Sequence, residues 1–206
     1  MITSILEKML LSHYTEGKIE AGCDEAGRGC LAGPVFAAAV VMPCNYANEL
    51  INDSKQLNAK QRQQLRAQIE NDALAWAVCS IDNKGIDDMN ILWASIHAMN
   101  MAVAQLKVRP QFLLIDGNRF RNETGIDYTC VVKGDAKYMS IAAASILAKT
   151  HRDEYMEKLH LQYPNYHWDK NKGYPTKAHY EAIAKYGPTP FHRKSFNLDK
   201  QLSLDL

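Results

Sequence analysis

Short apolar runs alternate along the chain with longer amphipathic segments, and this pattern predicts the order of strands and helices. Runs rich in apolar and β-branched residues are typical of strands, and they occupy residues 19–23, 35–42, 74–81, 112–115 and 128–132. Helices are predicted at residues 2–10, where apolar side chains recur at helical spacing, at 89–106 and from 138 to about 155. A polar helix is predicted at residues 54–70, with Ser54 as a plausible N-cap. Three successive strands, followed by strands that alternate with helices, predict a mixed sheet covered by helices.

Three details of this pattern indicate how the elements pack. The Gly33-Pro34 turn joins the first two predicted strands, which suggests an antiparallel pair. The run at residues 112–115 is apolar throughout and ends at Asp116, as expected of a buried central strand. The helix that begins near Tyr138 contains SIAAASILAK, whose alanines favour a helix and whose small side chains allow it to lie close to a sheet.

Size and composition exclude several classes of protein. The 206 residues suffice for one domain with a single core, and 47% apolar with 23% charged residues is ordinary for a soluble globular protein. No apolar stretch is long enough to span a bilayer, and Glu7 and Lys8 interrupt the N-terminal apolar pattern, unlike a signal peptide. Five cysteines without a C-x-x-C pair argue against a disulfide framework and a structural zinc site. We expect a cytoplasmic monomer.

Charge is distributed unevenly, although the formal net charge is only +1. Between Lys158 and Lys194 the sequence has seven Lys or Arg residues, two acidic residues and seven aromatic residues. Cations can bind the phosphates of a nucleic acid, and rings can lie against its sugars. The segment is therefore a candidate nucleic-acid surface, although many of its rings are expected to be core.

Four carboxylates stand where a divalent cation could bind them. Asp24 and Glu25 end the first predicted strand, Asp116 ends the fourth, and Asp153 lies on the long helix. Acidic residues are uncommon at the end of a buried strand unless a cation neutralises them. Oxygen ligands suit Mg²⁺, and two such ions about 3.5–4 Å apart can promote phosphodiester hydrolysis. The alternative is that these are turn-forming acids, and the charged neighbours of Asp153 make it the weakest candidate.

The sequence DEAGRG at residues 24–29 favours the catalytic interpretation. Two glycines around an arginine let main-chain N–H groups approach a sugar-phosphate backbone, while Arg28 can pair with a phosphate. The spacing GxxxxGK[ST] is absent, so the segment does not predict a nucleotide-triphosphate loop.

The motifs of this chain resemble those of bacterial ribonuclease HII, the type 2 ribonuclease H family. The resemblance is carried in order by GCDEAGRGCLAGPVFAAAVV, NDSKQL, LLIDGN, KGDAKYMSIAAASILAKTHRDEYM, GYPTKAHY and KYGPTPFHRKSF, and it spans residues 20–196. Cys23 and His151 depart from the usual pattern, but neither removes a ligand, and we expect His151 to face solvent. The resemblance implies an α/β, ribonuclease H-like fold with a mixed five-stranded sheet flanked by helices and a C-terminal helical extension. Within a single domain at residues 1–206, it implies a catalytic core to about residue 155, an extension that clamps the substrate at about 156–196, and a tail at 197–206.

The resemblance also implies the roles of particular residues. Four acids look like catalytic ligands of two Mn²⁺ or Mg²⁺ ions, namely Asp24, Glu25, Asp116 and Asp153. Three residues resemble a loop that senses the 2′-hydroxyl, the group that distinguishes RNA from DNA, namely Gly27, Arg28 and Gly29. Tyr174 resembles a tyrosine that stacks on the sugar at the RNA-to-DNA junction, with a tyrosine packed in the fold as the alternative. Lys55 is a candidate phosphate contact, with a solvated lysine as the alternative.

The implied activity is endonucleolytic hydrolysis of the RNA strand of RNA–DNA hybrids and cleavage 5′ to ribonucleotides embedded in duplex DNA. Two-metal catalysis would leave 3′-hydroxyl and 5′-phosphate ends, which suits removal of ribonucleotides and RNA primers. The C-terminal QLSLDL resembles a peptide by which bacterial repair enzymes bind the replication sliding clamp, with Gln201, Leu204 and Leu206 as anchors. A frayed terminus is the alternative.

Two rival functions are weaker on the sequence. Ribonuclease HIII shares much of the first motif, but that family usually carries an N-terminal substrate-binding domain, and only 23 residues precede Asp24 here. A duplex-binding module without catalysis would use the acids structurally, and the presence of all four acids argues against it.

Overall fold

Five strands form one mixed sheet in the structure, a computed structural model that describes residues 10–51 and 58–199. They are β1 (Glu20–Ala26), β2 (Val35–Val41), β3 (Ala75–Ile81), β4 (Phe112–Asp116) and β5 (Tyr128–Val131). The strand order is β3-β2-β1-β4-β5. Strand β1 pairs antiparallel with β2 and parallel with β4. The α/β fold class, the mixed five-stranded sheet and the antiparallel first pair are confirmed.

Helices cover both faces of this sheet. Those in the described residues are α1 (Ala59–Asp72), α2 (Asn83–Met89), α3 (Ile91–Ala104), α4 (Met139–Gln162), α5 (Trp168–Asn171) and α6 (Lys177–Tyr186). Side chains alternate along β2, so that Ala38 and Val40 join a core with α1 and α4, whereas Ala37 and Ala39 join a second core with α3. None of the helices in residues 10–51 and 58–199 has the length and apolar content to span a bilayer.

Two predicted helices have different boundaries in the structure. Helix α1 begins after Asn58 and not at Ser54, because the Asn58 side chain accepts from the Gln61 N–H and the Gln61 side chain accepts from the Asn58 N–H. The predicted helix at residues 89–106 is two helices, because Asn90 adopts a positive φ of 64° and its side chain caps α3. Residues 1–9, 52–57 and 200–206 lie outside the described residues, and with them lie most of the predicted N-terminal helix, Lys55 and the QLSLDL tail.

Helix α4 passes unusually close to the sheet at Gly22 of β1. A Cβ built on Gly22 would lie 2.2 Å from the carbonyl carbon of Ser140 and 2.3 Å from the nitrogen of Ile141. Ala142, Ala143 and Ala144 of the same helix are fully buried. The close approach predicted from the small residues of this helix is confirmed.

The second half of α4 supports the C-terminal extension. A separate apolar cluster joins Leu31 and Ala32 of the β1–β2 connection to Met156 of α4 and to Trp168 and Ile183 of the extension. Because α4 runs without a break from Met139 to Gln162, one rigid element connects the extension to the sheet. The expected division near residue 155 therefore falls inside a helix.

Candidate active site

Asp24 and Asp116 lie side by side at the carboxyl ends of the parallel strands β1 and β4. Cys23 is the register partner of Ile115, and each aspartate follows one of these two residues. Cys23 and Ile115 face the core that contains α3, so the alternation of side chains directs both aspartates to the face covered by α4. The predicted meeting of strand-end acids is found here.

Asp24 is the most buried of the candidate acids, at 6% exposure. Its carboxylate accepts from the Glu25 N–H at 2.7 Å and from the side chain of Ser145 on α4. Burial raises the pKa of Asp24 well above its usual value, and the neighbouring Glu25 and Asp116 carboxylates raise it further. The site thus disfavours the ionised form of this carboxyl unless a cation is near.

Glu25 and Asp116 have their own partners. The Arg28 guanidinium donates to Glu25 at 2.9 Å, but burial outweighs that cation, and the pKa of Glu25 is raised, with Asp116 adding to the effect. Asp116 accepts from the Gly134 N–H at 2.6 Å. These contacts fix the orientation of both carboxylates.

Asp153 completes the set from helix α4. Ser145, Lys149 and Asp153 lie four residues apart, so they share one face of the helix. The Lys149 ammonium lies 3.1 Å from the Asp153 carboxylate. A cleft of about 260 Å³ is lined by Glu25, residues 26–29, Ser145, Lys149, Arg152, Asp153 and Tyr174. The structure therefore brings Glu25, Gly27, Arg28, Gly29, Asp153 and Tyr174 to one cleft, directly beside Asp24 and Asp116.

The acids fit a hard divalent cation by their chemistry. All four predicted ligands supply carboxylate oxygens, which Mg²⁺ and Mn²⁺ accept, and the raised pKa of Asp24 shows that its charge lacks sufficient compensation. Among the described residues, however, no group of three or more Asp, Glu, His or Cys side chains already stands at ligand spacing. The carboxylates would therefore have to converge when cations bind.

Tyr174 projects over the same cleft from the extension. It is 41% exposed, and its ring lies 5.8 Å from the guanidinium carbon of Arg152. Its carbonyl is 3.0 Å from Nδ1 of the buried His179, so Nδ1 carries the proton and donates to it. Nε2 of His179 then accepts from the indole N–H of Trp168 at 3.0 Å. These buried hydrogen bonds fix the main chain at Tyr174, while its ring remains accessible.

Comparison with known proteins decides the family. A family model described as ribonuclease HII matches residues 21–199. A ribonuclease HII of Bacteroides thetaiotaomicron is 62% identical over 199 residues, covering 96% of this chain and 100% of that protein. The chain belongs to the ribonuclease HII family. It is a type 2 ribonuclease H, an endoribonuclease that acts on RNA–DNA hybrids.

Solved structures of type 2 enzymes agree with this assignment. The ribonuclease H2 of Pyrococcus horikoshii is 28% identical with a TM-score of 0.74, covering 87% of this chain and 94% of that one. A ribonuclease HII of Archaeoglobus fulgidus, solved as a complex with PCNA, is 26% identical with a TM-score of 0.72, covering 91% of this chain and 98% of that one. A ribonuclease HIII shares the fold at 21% identity. The family assignment thus favours ribonuclease HII over its HIII relative.

Four residues of this ribonuclease HII site were missed by the sequence analysis. Ser145 and Lys149 could have been found, because they precede Asp153 by eight and four residues on one helix face. The buried Arg152 and Arg193 gave no comparable signal, since their partners in the loop at residues 27–34 lie more than 100 residues away along the chain.

The expectation that His151 faces solvent is wrong. Its Nε2 lies 3.0 Å from a Glu70 carboxylate oxygen of α1, and only 21% of its side chain is exposed. Burial, followed by the nearby Arg66 charge, lowers the pKa of His151. Asp153 faces the cleft and His151 faces α1, because two residues along a helix correspond to a rotation of about 200°, which places them on opposite faces.

Proposed function

We propose that this chain cleaves duplexes at ribonucleotides by divalent-metal-dependent hydrolysis, including single ribonucleotides embedded in DNA. The observation that carries the proposal is that Asp24 and Asp116 stand at adjacent strand ends, beside a cleft that Glu25 and Asp153 line. The glycine-rich loop and Tyr174 line the same cleft. Cleavage on the 5′ side of the ribonucleotide would support the removal of ribonucleotides and RNA primers from DNA in the cytoplasm, with the chain acting as a monomer.

The four acids would hold two Mg²⁺ or Mn²⁺ ions. Bound there, the ions would supply Lewis acidity for the attack of water on phosphorus and for departure of the 3′ oxygen. Ser145 and the Glu25 N–H orient the Asp24 carboxylate, and the Gly134 N–H orients Asp116. Lys149 pairs with Asp153, which would otherwise be free to hold a cation.

Substrate recognition is assigned to the loop and the extension. The N–H groups of residues 27–29 would bind the 2′-hydroxyl, and the accessible ring of Tyr174 would stack on the adjacent sugar. A second cleft of about 590 Å³ shares Lys149 and Asp153 with the first and is also lined by Arg62, Lys170 and Lys172. These cations offer a path for a phosphate backbone leading away from the acids. Lys55, outside the described residues, is proposed as a further phosphate contact.

Cleavage of three matched duplexes tests the proposal. One carries a single ribonucleotide, one is a long RNA–DNA hybrid, and one is all DNA. We expect a cut 5′ to the single ribonucleotide and throughout the hybrid in Mg²⁺ or Mn²⁺, with 3′-hydroxyl and 5′-phosphate ends, and no cut of the DNA duplex or in EDTA. A 2′,3′-cyclic phosphate product would contradict hydrolysis by an external water. Binding without cleavage in either cation would favour the duplex-binding module.

We also propose that the C-terminal QLSLDL binds a replication sliding clamp through Gln201, Leu204 and Leu206. Support comes from the sequence pattern and from the Archaeoglobus fulgidus relative, which was solved in complex with the clamp PCNA. Full-length chain should bind the clamp in a calorimetric titration, and a chain ending at Lys200 should not. The matched control replaces Ser203 and Asp205 by alanine and should still bind. Equal binding by the shortened chain would remove the tail from the proposal.

A further inference from the structure

Two buried arginines lie directly behind the glycine-rich loop at residues 27–34. Arg152 and Arg193 are 1% and 0% exposed. Arg193 donates to the carbonyls of Gly27, Arg28 and Gly33 at 2.7, 2.8 and 3.0 Å. Arg152 donates to the carbonyls of Ala32, Pro34 and Lys172 at 3.2, 3.0 and 2.8 Å. Five of these six carbonyls belong to the loop.

The guanidinium groups are paired with dipoles and not with acids. Within residues 10–51 and 58–199, neither arginine forms an ion pair with a carboxylate, although such pairing is the usual way to accommodate a buried charge. Burial lowers the pKa of Arg193 to about 10, which still leaves it charged at neutral pH. Six main-chain carbonyls therefore compensate the two charges, and the loop cannot turn its carbonyls elsewhere without leaving a buried cation unsatisfied.

This arrangement fixes the direction of the loop's N–H groups. The described chain has no cis peptide bond, and in a trans peptide the N–H of one residue points opposite to the preceding carbonyl. Because the Gly27 and Arg28 carbonyls point at Arg193, the N–H groups of Arg28 and Gly29 point away from it. Both residues are exposed and line the cleft. In the described part of the chain, neither N–H has an acceptor.

Gly27 allows the Arg152 side chain to approach the loop closely. A Cβ on Gly27 would lie 1.9 Å from Nε of Arg152, and its φ of 93° also favours glycine. Arg152 in turn contacts the Tyr174 ring and the Lys172 carbonyl. The pair thus ties the loop, helix α4 and the extension into one unit.

We propose that Arg193, supported by Arg152, is a positioning residue that aims the N–H groups of Arg28 and Gly29 at the 2′-oxygen of the ribonucleotide. Consecutive N–H groups of this kind form a concave site for an oxygen acceptor. The proposal rests on the proposed function, in which residues 27–29 contact the ribonucleotide. It adds that the selectivity for a 2′-hydroxyl depends on two side chains that do not touch the substrate.

The test compares two substrates that differ in one 2′ substituent. Duplexes with a single ribonucleotide, or with a single 2′-fluoro nucleotide at the same position, are cut under single-turnover conditions by the native chain, Arg193→Lys and Arg152→Lys. We expect the cleavage rate of the 2′-hydroxyl duplex to fall about tenfold in the lysine variants, as for the loss of one or two hydrogen bonds. The cleavage rate of the 2′-fluoro duplex should fall much less. Arg109→Lys is the control, because Arg109 also donates to a carbonyl, that of Thr124, far from the cleft.

The ratio of the two rates separates positioning from loss of folding. An unfolded fraction lowers both rates equally and leaves the ratio unchanged, so an unchanged ratio in the lysine variants would overturn the proposal. If the native chain cuts neither duplex, the proposed function itself is contradicted. That result differs from an unchanged ratio, which would contradict only the role of the arginines.

A measurement on the native chain tests the proposal even if the variants do not fold. In EDTA, the amide ¹⁵N and ¹H resonances of Arg28 and Gly29 should shift more on titration with the ribonucleotide duplex than with the all-DNA duplex. Equal shifts with both duplexes would show that these N–H groups do not read the 2′ position.

Discussion

Asp24→Asn is expected to lower the rate of hydrolysis by about 1000-fold, because one charged ligand of a catalytic cation supplies several kcal/mol of stabilisation. The same change is expected to raise the free energy of unfolding when divalent cations are absent. Asp24 is buried beside the Glu25 and Asp116 carboxylates, whose negative charges oppose its ionisation. An amide has the shape of the carboxyl without its charge, so the repulsion disappears.

The pH dependence of stability follows from the direction of the pKa shift. The folded-state pKa of Asp24 is raised above its unfolded value, so the folded state binds a proton more tightly. The associated stability is present at low pH and is lost as the pH rises through the unfolded pKa towards the folded one. Without cations, the native chain should therefore lose more stability between acidic and neutral pH than Asp24→Asn does.

Thermal unfolding with and without Mg²⁺ checks both halves of this prediction. Mg²⁺ should stabilise the native chain by mass action, and it should stabilise Asp24→Asn much less. Asp88→Asn, at an exposed position of α2, is the control and should behave as the native chain in activity and in response to Mg²⁺. An Asp24→Asn variant that is fully active, or that is less stable than the native chain in EDTA, would contradict the assigned role of Asp24.

The candidate site could be predicted as far as it depends on local sequence. The pattern alone marks Asp24 and Asp116 as acids that each follow a predicted strand, whereas the parallel pairing of β1 with β4 that places them side by side is seen only in the structure. Ser145 shares the helix face of Asp153 and was within reach of the same reasoning. The family resemblance supplied the roles of the loop and of Tyr174, which no periodicity indicates.

The features that escaped prediction depend on contacts distant in sequence or on competition between similar local signals. Arg193 binds the Gly27 carbonyl across 166 residues, and nothing in the pattern around either residue marks the other. Asn58 and Ser54 are both favourable N-cap residues, and only the reciprocal bonds between Asn58 and Gln61 decide where α1 begins. Asn90 interrupts a continuous apolar pattern because asparagine tolerates a positive φ.

Gly22→Ala is expected to destabilise the fold by about 3 kcal/mol, the upper range for overpacking a core. The added methyl group would meet the main chain of Ser140 and Ile141 at 2.2 to 2.6 Å. Main-chain atoms in the first turns of α4 cannot rotate aside as a side chain could, so the helix must move away from β1. Urea denaturation should show a lower midpoint with a similar slope.

The displacement of α4 should also weaken the site, since Ser145 and Asp153 lie on this helix and Asp24 lies two residues after Gly22 on β1. We therefore expect the folded Gly22→Ala variant to require more Mg²⁺ for half-maximal cleavage than the native chain. Gly29→Ala is the matched control for stability alone, because a Cβ there meets nothing within 4 Å, and its free energy of unfolding should stay within about 1 kcal/mol of the native value. A Gly22→Ala variant as stable as this control would mean that α4 can retreat from the sheet at little cost, and that the spacing between Asp24 and Asp153 is not set by Gly22.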